Sequence, residues 1–175
     1  YACSKMTMEL LANTYNQLYG MKLIGLRFFT VYGPRGRPDM APYKFLTSIM
    51  NGNKFYKYGD GSSKRDYTYI DDIVNGVLGA LDNIKQVKCE VYNLGNSSPV
   101  TLNKFIKLCE KVCKKKAKYE QIEEQLGDVP ITYSNILKAK RDLGYFPKTD
   151  LNTGLKKMYD YLNSINKQKL NATYI

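Results

Sequence analysis

Gly20 separates two stretches of different period, and that juxtaposition constrains the fold more than any other feature of the chain. Before it, Met6, Leu10, Leu11, Tyr15, Leu18 and Tyr19 recur at helical spacing. After it, KLIGLRFFTVYG (22–33) is a mostly apolar run rich in β-branched and aromatic residues, as a buried parallel strand requires. An amphipathic helix, a glycine stop and a buried strand make one unit of a doubly wound sheet, so an α/β fold is expected.

The rest of the chain continues the alternation. PRGRPDMAP (34–42) is a loop, YKFLTSIMNG (43–52) a short helix, KFYKYG (54–59) a strand and GDGSSKRD (59–66) a turn-rich loop. YTYIDDIVNGVLGALDNI (67–84) begins extended and becomes helical. Asp71 and Asp72 fall near that helix start, and their adjacent spacing points them apart, so helix capping accounts for them better than a paired-carboxylate mechanism. CEVYNLGN (89–96) reads as a strand and SPVTLNKFIKLCEKVCKK (98–115) as a helix with Thr101 as its N-cap. Two more helices are expected at 135–145 and 150–165, followed by a polar, flexible tail after Asn166.

The chain has 175 residues, enough for one domain or a domain and a half. Its net charge of +11 admits a phosphorylated small molecule, a nucleic acid or an anionic lipid as partner, so the placement of the charges has to decide. Arg27, Arg35, Arg37 and Arg65 sit among glycines, prolines and aromatics, whereas the lysines of KVCKKKAKY (111–119) read as a solvated helix end. The tyrosines do not alternate along strands as a base-stacking platform would, so no nucleic acid partner is expected. A basic module binding RNA or anions stands as the alternative from another class. No apolar run approaches the ~20 residues of a membrane span, and no membrane contact is expected from this segment. Cys109 and Cys113 alternate with apolar neighbours and read as small buried hydrophobes, and no metal-ligand spacing occurs. Without histidine, a Ser-His-Asp or Cys-His mechanism cannot be built from these residues alone. Proton chemistry falls to Tyr, Lys, Asp or Glu.

The opening YACSK answers that requirement. Tyr1 and Lys5 share a helix face, and a lysine ammonium one turn from a phenol stabilises its phenolate. The pair can serve as acid and base. Taken with RFFTVYGPRGRPDMA (27–41), RDYTYIDDIV (65–74), YNLGNSSPV (92–100), GDVPIT (127–132) and TDLNTGLKK (149–157), this order resembles the second half of the extended short-chain dehydrogenase/reductase family, and within it the UDP-glucuronate 4-epimerases.

The resemblance implies the C-terminal part of a Rossmann-like doubly wound sheet plus a small α/β substrate-binding domain. Residues 1–38 would end an NAD-binding domain. Residues 39–166 would bind the nucleotide-sugar, with strand 89–96 returning to the Rossmann sheet, and 167–175 would form the tail. Tyr1 would be the catalytic acid and base, Lys5 would hold the cofactor ribose and lower the tyrosine pKa, and Phe28 would lie beside the nicotinamide, although a strand phenylalanine is also core-like. Thr30 would help bind the sugar carboxylate, and Arg37 and Arg65 would pair with the diphosphate. Asp128 matches a ribose-contacting position but also suits an ordinary turn. Gln125 stands where many relatives carry an arginine for the phosphates. The implied reaction is NAD-dependent epimerisation at C4 of UDP-glucuronate through a transient 4-keto sugar. Epimerisation of UDP-glucose, 4,6-dehydration and decarboxylation are the alternatives within the class. The implied protein is a cytoplasmic homodimer, or a Golgi one if an anchor precedes the segment. No G-x-G-x-x-G occurs, so the segment by itself is expected to be inactive.

Overall fold

In the computed structural model the apolar run 22–33 is not one strand. Leu23–Phe28 forms β1 and Thr30–Tyr32 forms β2, and the chain changes partners at Phe29. β1 pairs in parallel with β6 (Cys89–Leu94), Leu23 opposite Cys89 and Phe28 opposite Leu94. β2 pairs in parallel with β5 (Tyr67–Tyr69), Thr30 opposite Tyr67. The expected parallel pairing is present, but the single buried strand is corrected. Phe29 N–H still donates to Leu94 C=O (3.2 Å) while Thr30 N–H donates to Asp66 C=O (3.1 Å), so the ladder changes hands between consecutive residues. The backbone is described for residues 1–125 and 127–172, and side chains through Ile165.

Gly20 stops α1 (Ala2–Tyr19) in the left-handed conformation, φ 65°, its N–H bonded to Asn16 C=O. No residue of α1 is buried, and Met6, Leu10, Leu18 and Tyr19 are exposed, so its apolar stripe meets solvent rather than a core.

Two cores form elsewhere. The larger joins α2 (Ala41–Asn51), α4 (Leu102–Cys113) and α6 (Leu151–Ala172) through Phe45, Leu46, Ile49, Phe105, Leu155 and Met158. Phe45 stacks on Phe55 of β3 (Lys54–Tyr58) at 4.5 Å, and Tyr67 stacks on Phe105 at 4.3 Å. The smaller core packs Ile73 and Ala80 of α3 (Ile70–Asn83) and Tyr92 and Leu94 of β6 against Ala139 and Leu143 of α5 (Leu137–Leu143). Cys109 and Cys113 are buried as expected, and burial pushes both thiols up, Cys113 to about 11. Thr101 Oγ1 accepts from Lys104 N–H (3.2 Å), the expected N-cap of α4.

Three strands have no apolar signature: β4 (Lys64–Arg65), antiparallel to β7 (Val100–Thr101), and β8 (Lys118–Ile122), parallel to β3. β8 is held by backbone pairing and a Lys54–Glu120 ion pair (2.7 Å). The capping role of Asp72 is also corrected. Its carboxylate accepts from Lys148 and Thr149 N–H, both at 3.0 Å, tethering the lead-in to α6. Asp71 stays exposed in the first turn of α3, where no side chain caps. α6 continues to Ala172, past the expected start of the flexible tail, and residues 173–175 lie outside the described residues. No helix among the described residues is long and apolar enough to cross a membrane.

The packing of α6 on β2 explains the glycine of TDLNTG. A Cβ at Gly154 would overlap the buried Tyr32 hydroxyl, which has no hydrogen-bond partner among the described residues. Gly154→Ala should therefore lower unfolding free energy by about 1–3 kcal/mol through overpacking. Adding Tyr32→Phe should recover part of it, since the hydroxyl is the nearest obstacle. Urea denaturation of the single and double variants measures both, and an undiminished single variant would show that the contact can yield.

Candidate functional site

The first neighbourhood is a groove of about 640 Å³ between α1 and β1, lined by Tyr1, Lys5, Glu9, Leu26, Arg27 and Phe28 among others. One helical turn sets Lys5 Nζ 5.3 Å from the centroid of the Tyr1 ring. Tyr1 is 95% exposed, so a molecule in the groove can reach its hydroxyl. Phe28 is 52% exposed, which corrects its core-like reading: its ring is presented at the C-terminal end of a parallel strand, where open α/β sheets receive ligands. Arg27 fastens the two walls with a bidentate pair to Glu9, Nε to Oε1 at 2.7 Å and Nη2 to Oε2 at 2.6 Å. That hydrogen bonding lowers the Glu9 carboxyl and raises the Arg27 guanidinium from their ordinary values.

The second neighbourhood is a cavity of about 660 Å³ containing Arg65 and Asp128, with Tyr58, Ser62, Ser63, Gln125 and Tyr67 in its lining. Arg65 donates from Nη2 to Asp128 Oδ1 at 2.5 Å and from Nη1 to Lys64 C=O at 2.8 Å. The Arg65 side chain is 19% exposed and that of Asp128 55%, so the guanidinium lies in the wall and the carboxylate at the rim. Such a wall can bind an oxyanion, provided the anion displaces or shares the carboxylate.

Arg37 joins neither cavity. It lies in the loop after β2, side chain 75% exposed, with Nη2 2.5 Å from Asp39 Oδ2. The Asp39 hydrogen bond raises its guanidinium, with a smaller effect from the Tyr1 phenol. Thr30 links the two neighbourhoods by topology. It follows Phe28 by two residues, and its register partner Tyr67 lines the Arg65 cavity. The structure thus unites Tyr1 with Lys5 and Phe28, and Arg65 with Asp128, but does not bring Arg37 to Arg65. Among the described residues no three His, Cys, Asp or Glu side chains converge as a metal site would need.

Sequence reading missed Tyr58, Ser62 and Ser63 in the cavity and the buried Asp66 that follows Arg65. An aspartate entering the strand YTY was the available signal, because Asp is depleted in strands unless its carboxylate is used.

Residues 1–95 match the family described as NAD dependent epimerase/dehydratase. The chain belongs to that family. Within the epimerase/dehydratase family it is 45% identical to UDP-glucuronate 4-epimerase 2 of Arabidopsis thaliana, over 96% of this chain and 42% of the relative. It superimposes with TM-score 0.89 and 34% identity on the UDP-glucuronic acid 4-epimerase of Bacillus cereus crystallised with UDP-glucuronic acid and NAD, covering 94% of this chain and 52% of that one. The UDP-glucose 4-epimerase of Thermotoga maritima, crystallised with UDP-glucose, superimposes with TM-score 0.88 and 30% identity over 95% of this chain and 54% of its own. The chain spans about half the length of the curated relatives it matches, 49% and 42% of the first two. The doubly wound α/β architecture follows from these likenesses.

The Arg65–Asp128 pair yields a direct test. Asp128→Asn keeps the shape and removes the competing charge, so affinity for pyrophosphate should rise about fivefold at low ionic strength. Arg65→Gln should abolish that binding. Titration calorimetry on residues 1–175 reads both, and equal affinities for all three proteins would remove Arg65 as the anion-binding group.

Proposed function

We propose that this chain supplies the proton-transferring and sugar-binding part of an NAD-dependent UDP-sugar 4-epimerase acting within a longer polypeptide, with UDP-glucuronate as substrate and UDP-galacturonate as product. The observation that carries the reading is the convergence of Tyr1, Lys5 and Phe28 on one groove. The likeness to an Arabidopsis UDP-glucuronate 4-epimerase supports the acid sugar, and Thr30 supplies a small hydroxyl at the start of β2.

The groove residues fit the nicotinamide end of NAD. Phe28 offers a half-exposed ring, and Lys5 has no carboxylate within ion-pair distance among the described residues, leaving its ammonium for ribose hydroxyls. NAD held there would supply the acceptor and donor of the C4 hydride. Tyr1 Oη takes the proton of the sugar 4-hydroxyl as the ketone forms and gives it back after the sugar has turned. Lys5 stands one turn away on the same face, its ammonium 5.3 Å from the centre of the Tyr1 ring. Arg65 grips the diphosphate and Asp128, once released, accepts from ribose hydroxyls; Arg37, outside both cavities, would reach the phosphates only on leaving Asp39. The Thr30 hydroxyl donates to the sugar carboxylate, which would otherwise carry a large desolvation cost.

A homodimer through the exposed apolar face of α1 completes the reading, since that stripe has no cover among the described residues. The free thiols of Cys3, Cys89, Cys109 and Cys113 support a reducing, cytoplasmic location.

In the full chain that carries this segment, Tyr1→Phe should cut turnover by at least about a thousandfold while leaving UDP-sugar affinity within about twofold. Turnover surviving within about tenfold would assign the base elsewhere. Thr30→Asn should erode the preference for UDP-glucuronate over UDP-glucose in kcat/KM, chiefly by weakening the acid sugar. Equal use of both sugars by the unaltered enzyme would favour the neutral-sugar reading that the Thermotoga structure also accommodates, and assay of pentose and CO₂ separates epimerase from decarboxylase.

A further inference from the structure

Asp66 is fully buried, and no cation pairs with it among the described residues. Its carboxylate is solvated by two loops instead. Oδ1 accepts from Asn96 N–H (3.1 Å) and Ser98 N–H (3.5 Å); Oδ2 accepts from Ser97 N–H (3.0 Å), Ser134 N–H (3.0 Å) and the Ser134 hydroxyl. The backbone of Asp66 ties two further segments: its C=O accepts from Thr30 N–H (3.1 Å), and its N–H donates to Thr132 Oγ1 (3.1 Å). Gly95 permits this convergence, because a Cβ there would strike the Ser134 side chain and lie 3.0 Å from Asp66 Oδ2. One residue therefore meets the start of β2, the turn after β6 and the 132–134 segment.

The attachments lead to the two cavities. Arg65 is the preceding residue. The 130–132 segment runs alongside it, with Lys64 N–H donating to Pro130 C=O (2.8 Å) and Thr132 N–H to Lys64 C=O (3.1 Å), so Asp128 is carried by the same strip. Thr30 is held on the other side. Moving Asp66 would shift Arg65, Asp128 and Thr30 relative to one another.

Resting on the UDP-sugar reading above, we propose that Asp66 is a positioning residue that sets the spacing between the anion-binding guanidinium of Arg65 and the sugar-facing Thr30, and so governs how a UDP-sugar is seated. The role requires a carboxylate. An asparagine amide turned either way would aim its NH₂ at two or three of the five donors, four of which are backbone N–H groups that cannot reverse.

The test uses the full chain with UDP and NAD titrated separately by calorimetry, alongside steady-state kinetics. Asp66→Asn should raise KM for the UDP-sugar and weaken UDP by about tenfold or more, with NAD affinity within about twofold and kcat within about threefold. Ser134→Ala removes one side-chain donor and keeps the carboxylate, so it should fold and weaken UDP by about two- to fivefold. Asp71→Asn, exposed in the first turn of α3, should change none of these. UDP affinity unchanged in Ser134→Ala together with a lowered melting temperature would reduce Asp66 to a structural role and overturn the proposal, whether or not Asp66→Asn folds. An unaltered protein that binds no UDP would overturn the substrate reading, and the positioning role with it.

Discussion

Every peptide group in a sheet must find a partner, and at Phe29 this chain meets that demand by changing sides. The last N–H of the first ladder goes to Leu94 and the next to Asp66, so one continuous run belongs to two parallel pairs. The rest of the architecture follows from this transfer. β1 keeps α1, α3 and α5 around the β1–β6 pair, while β2 and β5 deliver the chain to the larger aromatic core under α2, α4 and α6. The groove with Tyr1 and Phe28 lies before the transfer, and the cavity with Arg65 lies after it.

The net charge of +11 is consistent with a small anionic ligand because of where charge is concentrated and how it is balanced. Lys107, Lys111, Lys114, Lys115 and Lys116 gather around the C-terminal end of α4, where cations favour the helix dipole and solvent screens them. Arg65 is different. Its guanidinium is mostly withdrawn from water and, among the described residues, is matched by a single rim carboxylate.

What could be read in advance was whatever depends on local chemistry. Gly20 stopping α1, Thr101 capping α4, the buried Cys109 and Cys113, and the shared face of Tyr1 and Lys5 each need only a few neighbouring residues. What was not legible depends on distant partners. β8 carries the polar KYEQI and exists through its ladder to β3, sixty-odd positions away. Phe28 looks like core until the strand ends beneath it, and Asp72 looks like a cap until Lys148 and Thr149 arrive across the fold. Asp66 is the extreme case, since all its carboxylate partners lie thirty or more residues downstream.

The nakedness of α1 has a kinetic meaning. A helix without a buried side chain rests on its own hydrogen bonds and a few tethers, here the Arg27–Glu9 pair and Asn16 Nδ2 bonded to Met21 and Lys88 C=O. Those tethers act on its middle and end. A helix held in this way opens more readily than α4 or α6, whose inner faces are buried in the larger core, so amide exchange along α1 precedes exchange in those helices.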